Sequence, residues 1–144
     1  MPLISLLDSN QMVHLRGGLN WGFSNAHVRR YDAYIPIPIK TIRENLDLFK
    51  NRGQRNTILR FIWDDGSQML GRFEGTRINK EDGLMYPKQI ASYPHKSILG
   101  QYFRKRLNVQ ENRRITMNDL TIYGRMDIDI TQIGINTYRI DFSV

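Results

Sequence analysis

Two apolar runs, residues 57–63 and 68–74, are separated by Asp64-Asp65-Gly66-Ser67, and no other stretch limits the fold so tightly. An Asp-Gly pair between apolar runs marks an antiparallel hairpin, because glycine supplies the positive φ that the turn requires. The first run is apolar enough for burial on both faces. Downstream, Met126-Asp127-Ile128-Asp129-Ile130 and Tyr138-Arg139-Ile140-Asp141-Phe142 alternate with period two, as half-buried antiparallel strands do, and residues 115–123 are read as a further strand before them.

The remaining elements fit around that β framework. Residues 11–16 and 33–39 read as the first two strands, and Pro36 and Pro38 place the second at a sheet edge or strand end, because proline cannot donate to a ladder. Thr41-Ile42-Arg43-Glu44 matches a capping box, and Ile42, Leu46 and Phe49 share one helical face, which predicts a short helix ending near Lys50. Residues 76–79 and 84–92 form a ribbon about Lys80-Glu81-Asp82-Gly83. A second helix is expected over 97–107, with Ile98, Leu99, Tyr102 and Phe103 inward. Residues 1–9 read as a tether. The expectation is a mainly β, α+β fold: seven strands in a mixed open barrel with two short helices, as one domain over residues 1–144.

Composition narrows the function. A chain of 144 residues buries roughly two-thirds of its unfolded surface, enough for one core without staples. The absence of cysteine removes disulfides, thiolate zinc sites and cysteine catalysis, and suits a reducing compartment. The opening residues lack the basic flank and sustained apolar run of a signal peptide, and no stretch approaches the ~20 apolar residues of a membrane span. Net charge is +7, from 21 Lys plus Arg against 14 Asp plus Glu, with Arg in the majority. The planar arginine fork binds phosphates and guanine edges with paired hydrogen bonds, so the balance favours nucleic acid over a generic surface.

Residues 16–38 join these two lines of argument. Asn20, Asn25, His27, Arg29 and Arg30 lie on a polar, glycine-punctuated loop that runs into an apolar β segment, the arrangement of a DNA-reading arm anchored by a strand. Within it, Gly18-Leu19-Asn20-Trp21-Gly22 followed by Asp32-Ala33-Tyr34-Ile35-Pro36-Ile37-Pro38 resembles the opening of the B3-like DNA-recognition domain of NgoFVII-type restriction endonucleases, distant relatives of plant B3 transcription-factor domains. The motif covers about a sixth of the residues, and the order of elements extends the likeness over nearly the whole chain. The resemblance implies a seven-stranded B3-like pseudobarrel that grips the major groove with two arms, in a bacterial cytoplasm. It also implies that the nuclease belongs to a separate phospholipase D-like region. The His-x-Lys motif of that region is missing here, and Pro94-His95-Lys96 lacks the spacing.

Candidate contacts fall into two groups. In the first arm they are Arg16, Asn20, Trp21, Ser24, Asn25, His27, Arg29 and Arg30. Trp21 either stacks on DNA or buttresses the arm, and Asn20 either contacts adenine or phosphate or closes an Asx-type turn. Tyr31 and Tyr34 are assigned to the core. The second arm carries Arg77, Asn79, Lys80, Glu81, Lys88 and Gln89, donors on a ribbon of a width that fits the major groove, with Glu81 a possible acceptor from cytosine and Asp82 setting the turn. Arg104-Lys105-Arg106 reads as a helix C-terminus complementing its dipole, and Arg113-Arg114 as a solvated loop.

No catalytic constellation emerges. His14, His27 and His95 are scattered, and neither a His-x-x-x-His pair, a Gly-x-Ser-x-Gly elbow nor a phosphate-cradling loop occurs. Asp127 and Asp129 could hold Mg²⁺ with Asp119 or Asp141 as a small metal-dependent nuclease does, or could form a solvated strand face; Asp64 and Asp65 are explained by their turn. A β-barrel binder of RNA or single strands is the other rival, but it needs exposed aromatics, whereas Phe61, Trp63, Phe73 and Phe142 occupy core-like positions. The expectation is a monomeric reader of duplex DNA with no cofactor, no metal and no membrane association.

Overall fold

The computed structural model describes residues 2–50 and 57–144. Strand β3 (Leu59–Trp63) and strand β4 (Gln68–Glu74) pair antiparallel about the expected turn, in which Gly66 has φ of 85° and Asp65 accepts from the Ser67 N–H at 2.9 Å. The strand β3 alternates rather than being buried on both faces: Leu59, Phe61 and Trp63 point inward while Arg60 is exposed. The difference comes from its neighbours, since β3 lies inside one curved sheet whose convex side faces solvent.

That sheet has seven strands. To the two above it adds β1 (Leu3–Ser5), β2 (Ile35–Pro36), β7 (Gln89–Ser92), β8 (Asp127–Gly134) and β9 (Thr137–Asp141), in the order β1-β8-β9-β3-β4-β7-β2. All pairings are antiparallel except β3 with β9, which is parallel. The two edge strands β1 and β2 approach within 8 Å between Cα atoms, so the sheet nearly closes into a barrel. It is a B3-like pseudobarrel of mixed strands with a few short helices. Pro36 sits in the edge strand β2, as its missing donor requires.

Inside the barrel, Phe73 packs on Phe49, Phe61 and Tyr138 with ring centres 5.0–6.2 Å apart, while Phe103 joins Trp63 to Phe142 at 5.5 and 5.1 Å. Among the described residues four α-helices lie on this core. Helix α1 (Ile39–Glu44) starts after Pro38 and makes no side-chain cap, so the Thr41–Glu44 capping box is not formed. Asn45, with φ of −142°, breaks the expected helix, and α2 (Leu46–Phe49) follows. Ile42 and Phe49 are buried, so the helical face was read correctly. Helix α3 (Lys96–Arg106) lies one residue off its expected place.

Three further expectations fail. Residues 115–123 are not a strand: α4 (Met117–Tyr123) is opened by a capping box in which the Asp119 N–H donates to Thr116 Oγ1 at 3.3 Å and the Thr116 N–H donates to Asp119 Oδ2 at 2.7 Å, and it ends at Gly124 with φ of 103°. The opening residues are not a tether, because Ile4 is wholly buried and β1 pairs with β8. Residues 11–16 form bends rather than a strand, with Gln11 at φ of 62°.

Candidate nucleic-acid interface

The first arm is a compact loop, residues 16–34, folded on its own backbone. A short 3-10 helix (Gly18–Phe23) turns it, and the Gly22 N–H donates to Asp32 O at 2.8 Å. A side chain at Gly22 would collide with the Arg30 carbonyl, so only glycine lets the outgoing and returning strands of the arm lie this close. Asp32 closes the base by accepting from the Arg29 N–H at 2.9 Å. Helix α3 supports the arm from below, since a Cβ at Gly100 would strike the Tyr31 carbonyl.

These contacts leave the arm's tip to solvent. Asn25, His27, Arg29, Arg30 and Arg16 are exposed, Asn25 in the left-handed region at φ of 66°, and Ser24 is half-buried. Trp21 stands edge-on to Tyr34 with ring centres 5.8 Å apart, which braces it while leaving part of the indole accessible. Tyr31 and Tyr34 are half-buried rather than core residues, because they lie along the arm and not under the sheet.

Asn20 is corrected outright. It is wholly buried, its amide donates to His14 O and Ile115 O, each at 2.9 Å, and its carbonyl accepts from the Ile115 N–H at 2.8 Å. It neither reaches DNA nor closes an Asx turn; it stitches the arm to the loop before α4.

The second arm spans residues 75–88, between β4 and β7. Its strands are β5 (Arg77–Ile78) and β6 (Met85–Tyr86), and Gly83 donates to Asn79 O at 2.8 Å across the tip. Asp82 sets the turn as expected, accepting from the Leu84 N–H at 2.9 Å and from the Tyr86 hydroxyl. Burial and then the Asp82 carboxylate push the Tyr86 hydroxyl up to about 12. The ribbon is shorter than expected, because Gln89–Ser92 joins the main sheet.

Lys80, Glu81 and Lys88 are exposed on this arm. Asn79 is half-buried and accepts from the Glu81 N–H at 3.3 Å. Arg77 donates to Ile37 O at 3.3 Å, and with Asn79, Lys80 and Glu81 it lines a recess of about 430 Å³ against α1; burial lowers its pKa. Gln89 belongs to strand β7, where its amide donates to Glu74 Oε1 at 2.9 Å beside Lys96 at 3.0 Å. Burial raises the Glu74 carboxyl, but Gln89 and Lys96 more than offset it and hold it below its usual value. The antiparallel pairing Ile35↔Ile90 and Pro36↔Gln89 brings the two arms to opposite ends of the β2–β7 pair, at one edge of the sheet.

Several arginines read as surface charges are structural. Arg106 is not a helix-end charge but a bidentate partner of Asp64 at 2.7 and 2.9 Å, enclosed by Tyr102, Tyr123 and Phe142. Asp64 accordingly serves more than its turn. Arg104 is buried and donates to the carbonyls of Glu111 and Arg113. Arg113 pairs with Asp119, and Arg114 donates to Leu15 O at 2.8 Å at the foot of the first arm. No local signal could have found the Asp64 partner of Arg106 or the Leu15 partner of Arg114, which lie 42 and 99 residues away.

On the far side of the sheet, Asp127, Asp129 and Asp141 surround Arg125 at 2.9, 3.1 and 3.4 Å, so they form an ion-paired cluster rather than a freely solvated face. Among the described residues no group of histidines and carboxylates could hold a metal ion, and no helix is long and apolar enough to cross a membrane. No curated protein matches the chain significantly. The model of the NgoFVII C-terminal B3-like DNA-binding domain matches residues 2–134, and the chain belongs to that family.

Proposed function

We propose that the chain reads a short double-stranded DNA sequence through its two arms in the major groove, as the specificity domain of a restriction endonuclease whose phospholipase D-like nuclease region lies elsewhere. The observation that carries this reading is the pair of donor-bearing arms flanking the β2–β7 edge from its two ends. Arg16, Trp21, Ser24, Asn25, His27, Arg29 and Arg30 serve the first jaw, and Arg77, Asn79, Lys80, Glu81 and Lys88 the second, with Gln89 at its root. Arginine and amide groups read base edges while neighbouring cations hold phosphates. The domain acts as a monomer on an asymmetric site, without a cofactor, in a bacterial cytoplasm.

The burial of Phe61, Trp63, Phe73 and Phe142 weighs against a stacking platform for single strands. Selection from randomised duplexes tests the proposal. One asymmetric consensus, bound more tightly as duplex than as either strand, is expected; no enrichment, or a preference for single strands, overturns it.

A further inference from the structure

Three guanidiniums surround one ring at the foot of the first arm. Phe23 is 9% exposed, and the guanidinium carbons of Arg30, Arg114 and Arg104 lie 4.7, 5.5 and 6.0 Å from its ring centre. Arg30 comes from the arm, Arg104 from α3 and Arg114 from the loop before α4, so the tertiary fold assembles the cluster.

The three are not equivalent. Arg104 is spent on the protein, holding the carbonyls of Glu111 and Arg113 and lying 4.6 Å from the Tyr31 ring centre, and it thereby fixes the loop that carries Arg114. Arg114 uses its Nε on Leu15 O, and its two terminal NH₂ groups have no protein partner among the described residues. Arg30 is exposed and forms no ion pair there.

Asp119 and Glu111 pair with Arg113 at 2.8 and 3.3 Å. Asp32 accepts from the Arg29 N–H through Oδ2, and its buried Oδ1 has no hydrogen-bond partner among the described residues. Cation–π attraction offsets part of the repulsion among three converging charges, but an anion would neutralise it. Burial lowers the pKa of Arg104, with Arg113 adding to the fall and Tyr31 and Asp119 opposing it.

We infer that Arg30 and Arg114, backed by Arg104 and levelled by Phe23, form a binding site for a backbone phosphodiester. This rests on the duplex-DNA reading above, yet it is distinct from base reading. Two forks from different elements grip tetrahedral oxyanions without regard to sequence and set the register at which the first arm enters the groove.

Salt titration of the full chain tests it. Affinity is measured against KCl concentration for the selected duplex and a scrambled one, using Arg30→Ala, Arg114→Ala, Arg114→Lys and the control Arg139→Ala, with unfolding midpoints recorded for each. Each alanine variant should lose affinity by the same factor on both duplexes, and its log–log salt slope should fall by about 0.9, one phosphate's worth. Arg114→Lys should keep the wild-type slope.

An unchanged slope in both alanine variants overturns the phosphate site. So does loss confined to the selected duplex, because Arg114 would then only position the arm through Leu15. If the alanine variants are destabilised, the lysine variant decides: a slope reduced as in alanine, in a folded protein, sinks the inference. Wild-type protein that binds both duplexes equally, with the slopes behaving as stated, would sink the sequence-reading proposal and leave this site standing. Failure of the wild type to bind any duplex, or tighter binding of an acidic peptide than of DNA, overturns it.

Discussion

Asn20 and Ile115, 95 residues apart, exchange two hydrogen bonds: the Asn20 amide donates to the Ile115 carbonyl at 2.9 Å and the Ile115 N–H donates back to Asn20 Oδ1 at 2.8 Å. With the third bond to His14 O, the side chain ties the entrance of the first arm to the loop that supplies Arg114. The buried position of both residues turns this contact into a stability determinant rather than a surface option.

Asn20→Ala should therefore destabilise the fold by about 2–3 kcal/mol, because it leaves buried backbone groups unsatisfied. Asn20→Asp should cost at least as much, since a carboxylate cannot donate to two carbonyls. Denaturant unfolding measures both. An alanine variant that kept its midpoint and lost DNA affinity would make Asn20 a contact after all.

Stability should fall on acidification below about pH 4. The Arg113 guanidinium, working against burial, holds the Asp119 carboxyl down at about 2. Burial raises Asp64, but Arg106 and the Phe142 N–H more than offset it, and its pKa too lies below the usual value. A depressed carboxylate stabilises the fold above its unfolded pKa of about 3.9 and loses that contribution as pH falls through its folded value. For Asp119 the loss is about 2 kcal/mol between pH 4 and pH 2. Asp119→Asn should be less stable at pH 7 and should lose less stability over that interval than the wild type in thermal unfolding.

Arg29→Ala and Arg77→Ala should each weaken specific binding, by about 1–3 kcal/mol where the residue reads a base. Arg29 is exposed and its loss should leave stability unchanged, whereas Arg77→Ala removes one hydrogen bond to Ile37 O and should lower the unfolding midpoint slightly. Arg139, exposed on β9, is the control. Equal losses in all three binding titrations would end the two-arm assignment.

The legible parts of this fold were the ones whose cause is local. Asp65-Gly66 fixes a turn by backbone conformation, Pro36 confines its strand to an edge, and the Asp82-Gly83 tip is closed by its own side chain; each was readable from four residues. Helix α4 was missed although Thr116 and Asp119 stand at capping-box spacing, because Ile115 and Leu120 are buried while Ile122 is 76% exposed, which blurs the period. Strand β1 was missed because three residues carry no period; only pairing with β8 gives it an identity. In the interface, exposure of the arm tips was legible from polarity. The roles of Asn20, Arg104, Arg106 and Arg114 depend on partners elsewhere in the sequence, and charge alone cannot separate a buried brace from a DNA contact.

The chain by itself should not cleave DNA, with or without Mg²⁺, and its specific binding should survive EDTA. The carboxylates with the best claim to a metal, Asp127, Asp129 and Asp141, are all paired with Arg125 within 3.4 Å, so a divalent ion would have to displace a guanidinium already in place. Asp129→Ala should thus leave DNA affinity unchanged, and Arg125→Ala should destabilise the fold by leaving three carboxylates crowded on β8 and β9. Plasmid incubation with Mg²⁺ and with EDTA, beside a binding titration under each condition, makes the check. Cleavage that vanishes in Asp127→Ala or Asp129→Ala while binding persists would turn this cluster from a structural ion pair into an active site, and the chain from a reader into a nuclease.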